Sequence, residues 1–189
     1  VVTIPEGFNI WEIDKRLADL GFIIEGEFAK KYQSQEGEFF PDTYRLNKEG
    51  ETADTIAEKM KNHLNLKFKE LSLVFSSLVL RETLIKASIL EKEARSEADM
   101  RLVAGVIRNR LAKKMPLAID ATVSYGACLR SLASGTSRSK ASEYKYCDVS
   151  QIPVGAEIKI DSPYNSYMRT GLPPGPIANP GITAIQAVL

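Results

Sequence analysis

The sequence predicts a helix-rich α+β fold that opens with a small strand-turn-helix unit. Three observations lead to this prediction. The 189 residues are 44% hydrophobic and 26% charged, which is typical of a globular domain that can bury a sizeable core. Apolar residues recur at helical spacing within residues 56–64 and 82–114. Only residues 1–4 and 43–46 resemble strands, and both segments are short.

The amino-terminal unit begins with the predicted strand at residues 1–4, and Pro5, Glu6 and Gly7 form a turn after it. A helix follows and ends before Gly21. Its apolar residues stand one helical turn apart: Ile10, Ile13, Leu17 and Leu20. We therefore expect a small strand-turn-helix unit at the amino terminus of the chain.

The middle of the chain predicts three helices. The first carries Ile56, Met60 and Leu64 and leads into the apolar segment at Leu71. The other two lie within residues 82–114 and are separated near Ser96, because Asp99 three residues later completes the form of a capping box. The last helix has one apolar face, which consists of Met100, Val103, Ala104, Ile107 and Leu111.

The last third of the chain is predicted to be mostly loop, with short strands at best. Residues 153–180 contain six of the nine prolines, and residues 131–142 are rich in serine. Cys128 and Cys147 lie on either side of the serine-rich segment. A disulfide between them and two free thiols are both compatible with the sequence.

Composition excludes several classes of function. A net charge of +1 offers no field that would hold a polyanion, so generic nucleic-acid binding is not expected. His63 is the only histidine and there are two cysteines, which disfavours a zinc site and a histidine-assisted hydrolase. The longest apolar run, residues 71–80, is about half the length that a bilayer crossing needs.

Glu91 and Glu93 are the candidate acid groups, on a helix that is otherwise largely apolar. Residues two apart on a helix point about 160° from each other, so these two carboxylates cannot face one cleft together. Glu91 precedes Arg95 by four residues, which favours a local ion pair. Glu93 lies one turn beyond Ile89 and Leu90, and burial there would raise its pKa into the range of a general acid. The alternative is that both glutamates lie on a solvated face.

Three further features have both a functional and a plain interpretation. Asn109 is either a ligand-binding amide or a surface residue. Asp120 either belongs to a site or caps a helix, and spacing alone favours the cap. Residues 162–181 combine tyrosines, asparagines, prolines and glycines. They form either a rigid loop that presents aromatic and amide groups to a glycan or a proline-rich turn that ends the fold.

These motifs together resemble the YceG-like family of bacterial endolytic murein transglycosylases. Five motifs occur in the family's order between residues 40 and 181. They are Phe40-Pro41-Asp42-Thr43-Tyr44, Ala87-Ser88-Ile89-Leu90-Glu91-Lys92-Glu93, Asn109-Arg110-Leu111, Asp120-Ala121-Thr122-Val123-Ser124-Tyr125-Gly126, and Tyr164-Asn165-Ser166-Tyr167 with the segment 171–181.

The resemblance implies a lysozyme-like catalytic domain over residues 47–189, with a cleft floored by the Glu93 helix and walled by the proline-rich loop. The second glutamate of the Glu-Lys-Glu element is the catalytic one in the family, which implies this role for Glu93. Six further residues are expected to line or support the cleft: Asn109, Asp120, Tyr125, Asn165, Tyr167 and Asn179. No metal or organic cofactor is expected.

The resemblance also implies a reaction and a cellular setting. Glu93 would cleave the MurNAc-β-1,4-GlcNAc bond of peptidoglycan strands and leave 1,6-anhydro-MurNAc ends. The alternatives are a noncatalytic peptidoglycan-binding or scaffolding domain and a hydrolytic muramidase that uses Asp120 or Asp42 as a second carboxylate. The expected setting is the cell envelope, with cell-wall synthases as partners, no nucleic acid, and an inner-membrane tether outside this chain.

The sequence departs from the family pattern in three respects. Ala121 stands where the family usually has proline. Residues 127–158 have no clear counterpart in the family. The family also continues beyond both ends of this chain, so we expect a fragment that lacks the end of the catalytic domain and whose residues 1–46 resemble the end of a LysM-like module.

Overall fold

A computed structural model describes residues 1–133 and 147–189. Within these residues, two short strands pair in one antiparallel sheet, and the remaining regular structure is helical, which confirms the predicted helix-rich α+β class. The strands are β1 (Val2–Thr3) and β2 (Thr43–Tyr44). The helices are α1 (Ile10–Asp19), α2 (Glu27–Tyr32), α3 (Ala53–Glu70), α4 (Ser77–Glu93), α5 (Glu97–Ala112), α6 (Asp120–Ala133), α7 (Val154–Glu157) and α8 (Ile182–Val188).

The amino-terminal unit has the predicted strand, turn and helix. β1 pairs with β2 so that Val2 lies opposite Tyr44. Helix α1 begins after Asn9, whose side chain accepts bonds from two first-turn amides, while Glu12 bonds back to the Asn9 backbone. This reciprocal arrangement satisfies amides that would otherwise lack partners at the helix start.

Helix α4 is central to the fold, because it packs against α5, α6 and α8. Its middle turns are buried, including Ala87, Ile89 and Leu90. The same hydrophobic core contains residues of the amino-terminal unit, and the Trp11 ring lies 5.0 Å from the ring of Tyr125 on α6. Residues on both sides of position 46 therefore contribute to one core, and the domain boundary there stays a prediction.

The predicted break between the two central helices is confirmed. Helix α4 ends at Glu93, Ala94 is extended, and Ser96 accepts a bond from the Asp99 amide to begin α5. The apolar run at residues 71–80 is divided between a turn and the first residues of α4. In the part of the chain that the structure describes, no helix is long and apolar enough to cross a bilayer.

The proline-rich stretch is mostly irregular, as predicted, but its order comes from attachment to α4. Pro174 accepts a bond from Arg81, the Ile177 amide donates to Ser88 Oγ at 3.0 Å, and the Gly181 amide donates to Glu91 at 2.9 Å. Helix α8 then packs on α4 and α5. The prediction of loop and short strands missed this helix, because seven residues are too few for a clear helical period.

Cys128 on α6 and Cys147 form a disulfide, with their Cα atoms 5.6 Å apart. Of the two possibilities that the sequence left open, the structure shows the disulfide and not two free thiols. The serine-rich residues 134–142, on which the loop prediction partly rested, lie outside the described residues.

Thiol titration of the denatured, unreduced protein is expected to detect no free thiol, since the chain has two cysteines and both are bridged. Two thiols should become reactive after reduction, which serves as the control. Two reactive thiols before reduction would contradict the bridge.

Candidate active site

Glu93 is the last residue of α4, and its side chain reaches solvent. The turn beneath it is anchored by the fully buried Ile89 and Leu90, as the helical spacing predicts. Partial desolvation raises the pKa of Glu93, the nearby Asp120 raises it further, and a hydrogen bond from the Ala121 amide lowers it in part. Glu93 is therefore an accessible carboxyl group that holds its proton to a higher pH than an ordinary glutamate does.

Asp120 lies beside Glu93 at the beginning of α6. The prediction that Asp120 caps this helix is wrong, since α6 includes Asp120 as its first residue. The carboxylate instead accepts a hydrogen bond from the Tyr167 hydroxyl at 2.5 Å. Charge repulsion between Asp120 and Glu93 favours the protonated form of Glu93.

Tyr167 is placed by the two residues that precede it. Ser166 Oγ accepts a bond from the Ile119 amide at 2.9 Å, which ties the loop to the start of α6. Asn165 Oδ1 accepts from the Tyr167 amide at 3.0 Å, and its Nδ2 donates to the carbonyl groups of Ile158 and Ile160. Asn165 is buried and fully bonded, so it supports the site through Tyr167 and does not itself face a ligand.

Glu91 lies on a different face of α4, as the angular argument predicts. It is half-buried, a Cβ added at Gly7 would lie 3.4 Å from its Cβ, and its carboxylate accepts a hydrogen bond from the Gly181 amide. The predicted ion pair between Glu91 and Arg95 is wrong, since the described residues include no contact between them. Helix α4 ends at Glu93, two residues before Arg95, so the two side chains no longer have helical spacing. Burial raises the pKa of Glu91, and the Gly181 amide partly offsets this.

The expected wall of the cleft needs a correction. Arg81, Ser88 and Glu91, which hold residues 174–181, point about 120–160° away from Glu93 around the helix. The second half of the proline-rich stretch therefore covers the opposite side of α4. The first half of the stretch reaches the Glu93 side through Tyr167.

Tyr125 and Asn179 belong to a buried cluster around Glu36. Tyr125 donates to Glu36 at 3.0 Å, Asn179 Nδ2 donates to Glu36 at 2.7 Å, and the Ile10 amide donates at 3.0 Å. Asn179 Oδ1 also accepts from the amides of Gly37 and Phe39. Tyr125 and Asn179 are 1% and 0% exposed, so they support the fold and are not positioned to touch a glycan.

Glu36 is buried at the centre of this cluster, which its sequence does not indicate. Complete burial raises its pKa to about 7, although the Ile10 amide and the Tyr125 hydroxyl lower it. Glu36 precedes Gly37 in a polar segment whose composition is typical of a surface turn, and nothing else in the sequence indicates its burial. Gly37 has φ +90°, and a Cβ there would lie 2.6 Å from Pro176, so this turn requires glycine.

Asn109 lies on the exposed side of α5, and the structure gives its side chain no hydrogen bond within the described ranges. The expected site residues thus divide into three groups. Glu93, Asp120 and Tyr167 come together, Asn165 supports them, and Tyr125 and Asn179 lie in the Glu36 cluster. Among residues 1–133 and 147–189, no three His, Cys, Asp or Glu side chains are grouped so as to hold a metal ion.

Known proteins resemble this chain in sequence and in fold. The model of the YceG-like family matches residues 1–189. A protein of Bacillus subtilis (strain 168), named endolytic murein transglycosylase, is 35% identical over 156 residues, which are 82% of this chain and 38% of that protein. A protein of Streptococcus pneumoniae with the same name is 34% identical over 157 residues, which are 80% of this chain and 25% of that protein.

A crystal structure of a yceG-like protein from Listeria monocytogenes superposes with a TM-score of 0.70 at 29% identity and covers 99% of this chain and 64% of that one. The chain thus spans about a quarter to two-fifths of the length of the two sequence relatives. The family model covers every residue, the two relatives exceed 30% identity, and the fold agrees with that of the solved structure. The chain belongs to the YceG-like family.

Proposed function

We propose that this chain carries the catalytic site of an endolytic lytic transglycosylase that cleaves the MurNAc-β-1,4-GlcNAc bond of peptidoglycan. The observation that carries the proposal is Glu93, an accessible carboxyl at a helix end with a raised pKa. The names of the two relatives support murein as the substrate.

Glu93 acts first as an acid and then as a base. Its proton passes to the glycosidic oxygen as the bond from that oxygen to the muramyl C1 breaks. The muramyl C6 hydroxyl then attacks C1, and the Glu93 carboxylate takes the hydroxyl proton. An internal hydroxyl has a high effective concentration, so no second carboxylate is needed to activate water.

Asp120 and Tyr167 prepare Glu93 for the first step. The Asp120 carboxylate disfavours ionisation of Glu93, and the Tyr167 hydroxyl holds that carboxylate in place. The Ala121 amide lies at the positive end of α6 and stabilises the Glu93 carboxylate once the proton has left. The protonated form stays favoured, because the pKa of Glu93 is raised overall, and the Ala121 amide lowers the cost of the ionised form that the second step requires.

One observation favours hydrolysis as a second candidate function. Asp120 lies near Glu93 and is a carboxylate that could activate a water molecule. Asp42, the other candidate, lies against His63 at 3.4 Å. Asp120 is therefore the stronger candidate for the second carboxylate, because Asp120 is among the groups that shift the pKa of Glu93 and Asp42 is not.

Product analysis in heavy-oxygen water separates the two functions. Digestion of purified glycan strands by the intact protein is expected to give unlabelled 1,6-anhydro-muramyl ends, which are lighter than reducing ends by one water. Heavy oxygen at the new muramyl ends, measured by mass spectrometry, would establish hydrolysis and contradict the transglycosylase proposal.

Asp120→Asn is expected to shift the pH profile of cleavage. A general acid must be protonated, so activity falls as the pH rises through the pKa of Glu93. Loss of the Asp120 charge lowers the pKa of Glu93, so activity is lost at a lower pH. The measurement is kcat/KM against pH. Tyr167→Phe retains the Asp120 carboxylate and is the control, so its activity should not be lost at lower pH. An unshifted profile for Asp120→Asn would show that Asp120 does not raise the pKa of Glu93.

The same proposal extends to the setting of the enzyme. Nascent peptidoglycan strands are its substrate, cell-wall synthases are its neighbours, and a tether outside residues 1–189 anchors it in the inner membrane with the site on the outer face. The murein substrate in the relatives' names supports an envelope location. Fractionation of cells that express the intact protein tests the anchoring.

A further inference from the structure

An exposed apolar surface lies where α3 meets α4, separate from Glu93. We define this apolar tip as Leu66, Leu71, Val74, Leu78 and Val79, which are 54%, 37%, 95%, 66% and 49% exposed. Single exposed apolar residues are common on protein surfaces, whereas five within one helix-turn-helix segment, residues 66–79, favour a contact surface. The function proposed above makes no use of it.

The turn that presents the apolar tip is well packed. The Phe68 and Phe75 rings meet edge to face with their centroids 5.2 Å apart. The Leu73 amide donates to the Phe68 carbonyl at 2.8 Å, and Ser72 adopts a left-handed φ of 54°. Because both sides of the turn are fixed, Val74 is held outward at the tip.

Charge around the apolar tip is positive. Residues 66–81 contain three Lys or Arg and one acidic residue, Glu70, in a chain whose net charge is +1. Glu70 pairs with Lys67 at 2.9 Å, and Glu82 on the next turn pairs with Lys86 at 3.5 Å. Lys69, near the end of α3, and Arg81, on α4, have no acidic partner in the described part of the chain, although Arg81 also donates to the Pro174 carbonyl.

We propose that the apolar tip, with Lys69 and Arg81 beside it, is a docking surface for an anionic lipid bilayer. Apolar side chains on a convex turn enter the interface, and adjacent cations bind anionic headgroups. A second copy of the chain fits less well, because a symmetric contact would bring the unpaired cations of both copies together. The proposal is independent of the reaction at Glu93.

Vesicle co-sedimentation of the 189-residue chain tests the proposal. The chain is expected to sediment with vesicles of equal phosphatidylglycerol and phosphatidylcholine and to stay in solution with phosphatidylcholine alone. Val74→Asp with Leu78→Asp should weaken binding to the anionic vesicles about tenfold or more. The matched control, Leu102→Asp with Val106→Asp, adds two charges at exposed apolar positions on α5 and should leave binding unchanged.

Three results would overturn the proposal. They are no binding to anionic vesicles at low ionic strength, equal loss in the tip and control variants, and equal binding to both kinds of vesicle. Sedimentation equilibrium distinguishes another occupant: self-association that the tip variant abolishes, without vesicle binding, would assign the surface to a second copy. Circular dichroism and thermal unfolding confirm that both variants fold.

Discussion

Replacement of Glu93 by glutamine is expected to lower cleavage of glycan strands by about 10²–10⁴-fold and to leave the fold intact. The amide keeps the shape of the side chain but cannot donate the proton. Because Glu93 is at a helix end and reaches solvent, the substitution leaves no buried group without a partner. The measurement is kcat/KM on purified strands, with thermal unfolding to confirm the fold.

Glu91→Gln is the matched control for Glu93→Gln. Both residues are on α4, two positions apart, and both have a raised pKa. Glu91 holds the Gly181 amide, so its replacement should change stability more than cleavage. If Glu91→Gln abolished cleavage while Glu93→Gln retained it, the assignment of the two helix faces would be wrong.

Asn179→Ala is expected to destabilise the protein by about 3 kcal/mol or more. The substitution removes the acceptor of two buried amides, those of Gly37 and Phe39, and the donor to Glu36. Each buried polar group that loses its partner costs about 1–3 kcal/mol. The shift of the urea midpoint measures the loss.

Asn109→Ala is the matched control for Asn179→Ala, because the resemblance implies the same role for both asparagines. Asn109 is exposed, and its replacement should change stability by less than about 0.5 kcal/mol. If Asn179→Ala kept full stability and lost glycan binding instead, Asn179 would be a ligand contact after all.

The central helices were predictable because their sequences determine them locally. An apolar period of 3.6 residues and the cap at Ser96 define α4 and α5, and the same period places Glu93 and Glu91 on different faces. The role of Glu93 as the candidate acid then depends on Asp120 and Ala121, which come from another helix. The sequence brings these residues together only through the family resemblance.

The buried cluster was not predictable for a related reason. Asn179 and Glu36 each stand in segments rich in polar residues, prolines or glycines, which ordinarily indicate surface turns. Their burial is set by contacts between parts of the chain that are 143 residues apart. A pattern read within a short window carries no information about such a contact.

The cluster around Glu36 also has a consequence for the order in which the chain folds. Asn179 bonds to Phe8, 171 residues earlier, and to Gly37, 142 residues earlier. Contacts of such separation form slowly, since a long loop must close before they contribute. During synthesis the amino-terminal unit is made first, but the Glu36 carboxyl gains its last donor only when residue 179 has emerged. We therefore expect the hydrogen bonds of Asn179 to be among the last contacts of the amino-terminal unit to form.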